Sequence, residues 1–106
     1  MEKIVKILGE EVPVKFCVAV QIAYEEITGT AFSFDGLSKM KNSVALSMAM
    51  IVTNKPDTKI TIDRLMTEAN GKETSELTTA IVESMKAWYG LPDVMAEEEK
   101  GPEGKN

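Results

Sequence analysis

Residues 3–16 divide into two interleaved sets with a period of two. Lys3, Val5 and Ile7 interleave with Ile4, Lys6 and Leu8, and after Gly9-Glu10-Glu11 the alternation resumes at Val12, Val14 and Phe16. Two strands joined by a glycine-containing turn produce this pattern, so the chain opens with a β-hairpin. From Cys17 the spacing lengthens to that of a helix. Val20, Ala23, Tyr24 and Ile27 share one face, and Thr28-Gly29 supplies the stop, with glycine where a left-handed cap is favoured.

Further on, helical spacing dominates. Phe32, Phe34 and Leu37 anchor a loop with one helical turn starting at Asp35, a residue suited to an N-cap. A long helix follows over about Lys41 to Thr53, closed by Asn54-Lys55-Pro56-Asp57, because proline disfavours helical geometry in the residue before it. Thr61 caps a shorter helix whose Ile62, Leu65, Met66 and Ala69 form an i, i+3, i+4, i+7 stripe ending at Asn70-Gly71. The last helix, about Glu73 to Tyr89, carries Leu77, Ile81, Met85 and Trp88 on its core stripe and stops at Gly90. The expected fold is α+β: an N-terminal antiparallel hairpin packed on a bundle of four to five helices.

Helical phase singles out apolar residues that fall off these stripes. At about 100° per residue, the Lys41 to Thr53 helix groups Val44, Ala45, Met48, Ile51 and Val52 on one face, while Leu46 and Met50 fall among Ser43, Ser47 and Thr53. In the first helix Val18 and Ile22 lie together away from the main face, near Glu25 and Glu26. Two accounts fit. A helix clasped between the hairpin and other helices is apolar all round; a protein that binds amphipathic helices keeps a second apolar face with adaptable methionine in it. Under the second account the partner-binding residues are Leu46, Met50, Val18 and Ile22, joined by Met40 and by Tyr89, which lies off the last helix's stripe at a rim. Met48, Met66 and Met85 fall on core stripes, and so does Trp88.

Composition narrows what these elements do. With 43% apolar content over 106 residues the chain builds one core, expected over residues 1–90. Those residues hold ten basic and twelve acidic side chains and are nearly neutral, whereas 91–106 hold two basic and five acidic ones, with Glu97-Glu98-Glu99 among them. That segment has no apolar face to bury and is expected to be a disordered acidic tail. No run reaches the roughly 18 apolar residues of a membrane span, and Met1-Glu2-Lys3 opens onto a strand pattern instead of a signal peptide, so a cytosolic protein is expected. The single Cys17, among apolar neighbours, reads as a buried thiol.

Catalysis finds little support in the residues. Without histidine there is no Ser/His or Cys/His dyad, no imidazole metal ligand and no base poised near neutrality. Glu25 and Glu26 are adjacent on a helix and diverge; Glu73 and Glu76 stand near a helix start, where they favour its dipole. Glu97-Glu98-Glu99 lacks the spacing and glycine turn of a calcium loop. Neither a metal nor a cofactor is expected, and no enzymatic activity. The last two helices can be drawn as a helix-turn-helix, but the final one offers only Lys86 against Glu73, Glu76 and Glu83, the wrong balance for phosphates, so no nucleic acid is expected.

Three segments carry a family resemblance: Ile7-Leu8-Gly9-Glu10-Glu11-Val12-Pro13-Val14-Lys15-Phe16, Tyr24-Glu25-Glu26-Ile27-Thr28-Gly29 and Thr61-Ile62-Asp63-Arg64-Leu65. With the order of hairpin, helix, phenylalanine-bearing loop, apolar helix, capped helix and final helix before an acidic tail, the chain over residues 1–90 resembles the small tail assembly chaperones of long-tailed bacteriophages. The resemblance implies a non-enzymatic protein of the bacterial host cytoplasm that keeps the long, helical tape measure protein soluble, helps recruit tail tube protein around it, and is absent from the finished particle. In many such phages a frameshift makes a longer form with a C-terminal extension, and this chain is compatible with the short one. Two other readings of the same residues remain open: a structural or adaptor subunit of a phage particle, and a small soluble regulator of a host protein. Self-association is compatible with each.

Overall fold

The computed structural model describes residues 3–90; the acidic tail expected over 91–106 lies outside the described residues. Strands β1 (Lys3–Ile7) and β2 (Glu10–Val14) pair antiparallel in the register Lys3 with Val14, Val5 with Val12 and Ile7 with Glu10. The turn is Leu8-Gly9, one residue earlier than the Gly9-Glu10-Glu11 expected from sequence. Both of its residues have positive φ, 51° and 83°, as a two-residue hairpin whose twist matches its strands requires. Val5, Ile7, Val12 and Val14 point into the core. Counting ladder pairs outward from the turn places Pro13, opposite Ile4, at a position whose N–H would face away from β1, so its missing donor costs no sheet hydrogen bond.

Among the described residues, four helices and one 3-10 turn (Asp35–Ser38) complete the α+β fold: α1 (Val18–Thr28), α2 (Met40–Asn54), α3 (Ile62–Thr67) and α4 (Gly71–Tyr89). β1 packs on α4 and β2 on α2, while α1 lies along α2. Helix α2 is the axis of the molecule, touching α1, β2, the 3-10 turn, α3 and α4.

That position decides between the two accounts of the off-phase residues in α2. All seven residues from Ala45 to Ile51 are buried, with Leu46 at 5% and Met50 at 0% exposure. Leu46 and Met50 therefore belong to the core and leave the list of surface anchors. The reason is topological: a helix covered on every side has no polar face to present, and the intervening Ser47 is accommodated by donating its hydroxyl to the Ser43 carbonyl at 3.1 Å. Asn54 at the end of α2 donates to the carbonyl of Lys15, 3.1 Å away, and so fastens the helix to the chain leaving β2.

Two carboxylates hold the hairpin turn against the helices. Glu10 accepts from the Thr58 hydroxyl at 2.6 Å and from the Lys59 backbone N–H at 3.0 Å, in the segment between α2 and α3. Glu73 accepts from the backbone N–H of Leu8 at 3.2 Å. The same Glu73 closes a capping box with Asn70, whose side chain receives the Glu73 N–H at 2.8 Å. Asn70-Gly71 is thus the start of α4 and not the end of the preceding helix, which explains why α4 begins two residues before the expected Glu73. Helix α3, capped by Thr61 as expected, runs only to Thr67 and packs on α2 alone. With a single contacting face, it leaves Met66 60% exposed, outside the core stripe assigned to it.

Candidate partner-binding surface

The six aromatic residues of the chain form one connected group, although they come from four separate stretches of sequence. Phe16, in the link between β2 and α1, is buried and stands at its centre. Its backbone N–H donates to the Ser84 hydroxyl at 2.7 Å, which fixes that link against α4. Around it lie Trp88 with ring centroids 5.4 Å apart, Phe32 at 5.9 Å and Tyr89 at 6.0 Å. Buried Tyr24 of α1 meets Phe32 edge-on at 5.4 Å. Phe34 bridges Phe32 at 5.7 Å to Tyr89 at 5.5 Å, and Trp88 and Tyr89 stand perpendicular at 4.8 Å. Offset and edge-to-face ring pairs add about 0.5–1.5 kcal/mol each beyond burial, so this group pins the phenylalanine loop and the end of α4 to the body.

One side of the group faces solvent. Phe34 is 53% exposed, Trp88 44% and Tyr89 38%. The surface continues onto α1, because the Gln21 amide reaches the Tyr89 hydroxyl at 3.4 Å, and Val18 and Ile22 lie one turn before and one residue after Gln21 on the same outer side. Val18 is 55% exposed and Ile22 52%. Three partly exposed rings on one side of the Gln21–Tyr89 hydrogen bond and two exposed branched aliphatic side chains on the other make up an apolar strip interrupted by Gln21.

Of the six residues expected to bind a partner, the structure brings Val18, Ile22 and Tyr89 together and buries Leu46 and Met50. Met40 is 74% exposed in the first turn of α2 and takes no part in the ring contacts. Trp88 and Phe34 were missed. Trp88 continues the Leu77, Ile81, Met85 stripe into the last turn of α4, where it packs against Phe16 and Tyr89 and stays partly exposed. Ile27, assigned to the core face of α1, is 40% exposed in that helix's last turn, and Cys17 is half-buried and free.

Glu10 is held below the usual carboxylate range, first by the Thr58 hydroxyl and then by the Lys59 N–H, both of which favour its charged form. Among the described residues no group of three or more acidic, cysteine or histidine side chains has the arrangement of a metal site. No helix among them is long and apolar enough to cross a membrane. Comparison of the chain with protein-family models, with curated proteins and with solved structures finds no match.

Proposed function

We propose that this chain is a tail assembly chaperone of the long-tailed phage type, which binds apolar helical segments of a tape measure protein in the host cytoplasm and helps bring tail tube subunits to it without chemistry. The observation that carries the reading is the strip of Phe34, Trp88, Tyr89, Val18 and Ile22, which gathers exposed rings and aliphatic side chains, whereas other exposed apolar residues, among them Ile4, Met40 and Met66, take no part in the ring contacts. Exposed aromatic side chains rimmed by polar residues mark surfaces that bind other proteins, and a strip between a helix and a neighbouring helix end suits a helix laid alongside. The rings are held by one another and by the core, so little side-chain freedom is lost when a partner covers them. The resemblance described above supplies the identity of that partner.

Coexpression tests it. The parent chain should keep a tape measure protein from the same genome in solution, and a chain carrying Val18→Gln and Ile22→Gln together should do so poorly while remaining folded. A tape measure protein equally insoluble with and without the parent chain would overturn the reading.

A further inference from the structure

The apolar strip ends in uncompensated negative charge. Glu25 and Glu26 lie one turn beyond Ile22, on its two flanks, in the last turn of α1. Both are exposed, and neither takes part in an ion pair among the described residues. The last turn of α1 holds no basic residue. Acidic side chains at a helix C-terminus oppose the partial negative charge of its free carbonyls, a position where cations are favoured. Two anionic groups therefore sit at the end of an apolar strip, each in an electrostatic environment that a positive charge improves.

We infer that the occupant of this face is a basic amphipathic helix, whose apolar side covers Trp88, Tyr89, Val18 and Ile22 and whose lysine or arginine, about one turn past its last apolar anchor, meets Glu25 and Glu26. The inference rests on the reading of the strip as a helix-binding surface and adds the charge that selects among helices. An acidic helix with the same apolar side is disfavoured, since it brings like charges together at the end of α1. Apolar contact supplies attraction, and the glutamates supply direction and discrimination.

The test uses two synthetic amphipathic peptides with one identical apolar stripe at i, i+3, i+4 and i+7, differing only in lysine or glutamine one turn beyond it. Each is titrated by fluorescence anisotropy into the parent chain and into a chain carrying Glu25→Gln and Glu26→Gln. The lysine peptide should bind the parent roughly three- to tenfold more tightly than the glutamine peptide at low salt, the range expected of one or two exposed ion pairs. That advantage should vanish with the double variant and near about 1 M salt, while the affinity of the glutamine peptide stays the same for both chains. The double variant should melt no lower than the parent, because it removes charges that oppose the helix. Equal affinity of both peptides for the parent would overturn the inference and leave the helix-binding surface standing, and so would a lysine advantage that survives in the double variant. Failure of both peptides to bind the parent would overturn both.

Discussion

Replacing Met50 and Ile22 by the same residue, glutamine, separates the core of this protein from its candidate binding face. Met50 has no exposed surface, and its neighbours along α2 are all buried. Glutamine is close to methionine in size, so the change adds little cavity; its cost is the loss of apolar burial together with the amide's desolvation. Full burial of a methionine side chain contributes about 1.5–3 kcal/mol, and an amide buried without a partner costs a further 1–3 kcal/mol or so. The sum, about 3–6 kcal/mol, is comparable with the whole stability of a domain this size, on the order of 4–13 kcal/mol at roughly 0.05–0.15 kcal/mol per residue. Ile22 is 52% exposed. Half of a full burial contribution, about 1 kcal/mol, is lost there, and the glutamine amide stays hydrated.

Thermal unfolding followed by circular dichroism reads the difference. At about 4–8 °C per kcal/mol for a domain of 60–100 residues, Ile22→Gln should lower Tm by less than about 10 °C. Met50→Gln should lower it by at least about 12 °C or leave no cooperative transition. Partner binding should reverse the order of severity: the folded Ile22→Gln protein loses an apolar contact and weakens by roughly four- to tenfold, about 0.8–1.5 kcal/mol. A Met50→Gln protein that melts within a few degrees of the parent would refute the placement of α2 as a helix covered on all sides.

Two further outcomes follow from the carboxylates and the caps. Glu10 is held below the usual carboxylate range in the fold, so the stability it contributes is complete above its unfolded pKa, near 4.3, and is lost as pH falls through its lower folded value; in urea titrations at successive pH values from 6 to about 3, Glu10→Gln should flatten the acid limb without altering the slope of unfolding against urea. Asn70→Ala should cost about 0.5–2 kcal/mol by opening the capping box of α4, a loss visible as a lower urea midpoint, whereas Asn70→Asp should restore most of it.

The hairpin, the four helices and the caps at Thr61, Gly29 and Gly90 were legible because each has a local cause: period-two alternation, an i, i+3, i+4 stripe, a hydroxyl at an N-cap, a glycine with positive φ. What escaped was set by contacts distant in sequence. Asn70-Gly71 has the composition of a helix stop and also that of a helix start; Glu73 three residues later was the deciding signal, and it additionally serves Leu8, 65 residues away. The phase of α2 could not by itself show that Ser43 and Ser47 lie on a covered side, since serine satisfies its hydroxyl on its own helix backbone and so tolerates burial. Helical phase tells which residues share a face; how many faces are covered depends on the topology of the other elements.

Trp88 shows where periodicity fails at the end of an element, and it also offers the most direct test of the surface. Adjacent residues of a helix differ by about 100° in direction, so Trp88 and Tyr89 cannot both point into the core. The structure resolves the competition by leaving each partly out, at 44% and 38% exposure, with the rings packed on Phe16 from one side. As the chain's single tryptophan, Trp88 reports on this face with no competing signal. In the free protein its indole should be quenched readily by acrylamide and emit as a partly hydrated ring. A helix lying along Trp88, Tyr89, Val18 and Ile22 removes most of the remaining exposed ring surface from water, so a saturating partner should shift the emission to shorter wavelength and reduce quenching at least about twofold, given that roughly half the ring is open beforehand. Val18→Gln with Ile22→Gln should move the titration midpoint to higher partner concentration but leave the endpoint spectrum unchanged, because the indole environment at saturation is the same. A partner that binds with measurable affinity and alters neither emission nor quenching must dock elsewhere, and the aromatic strip would then have no claim to be the binding surface.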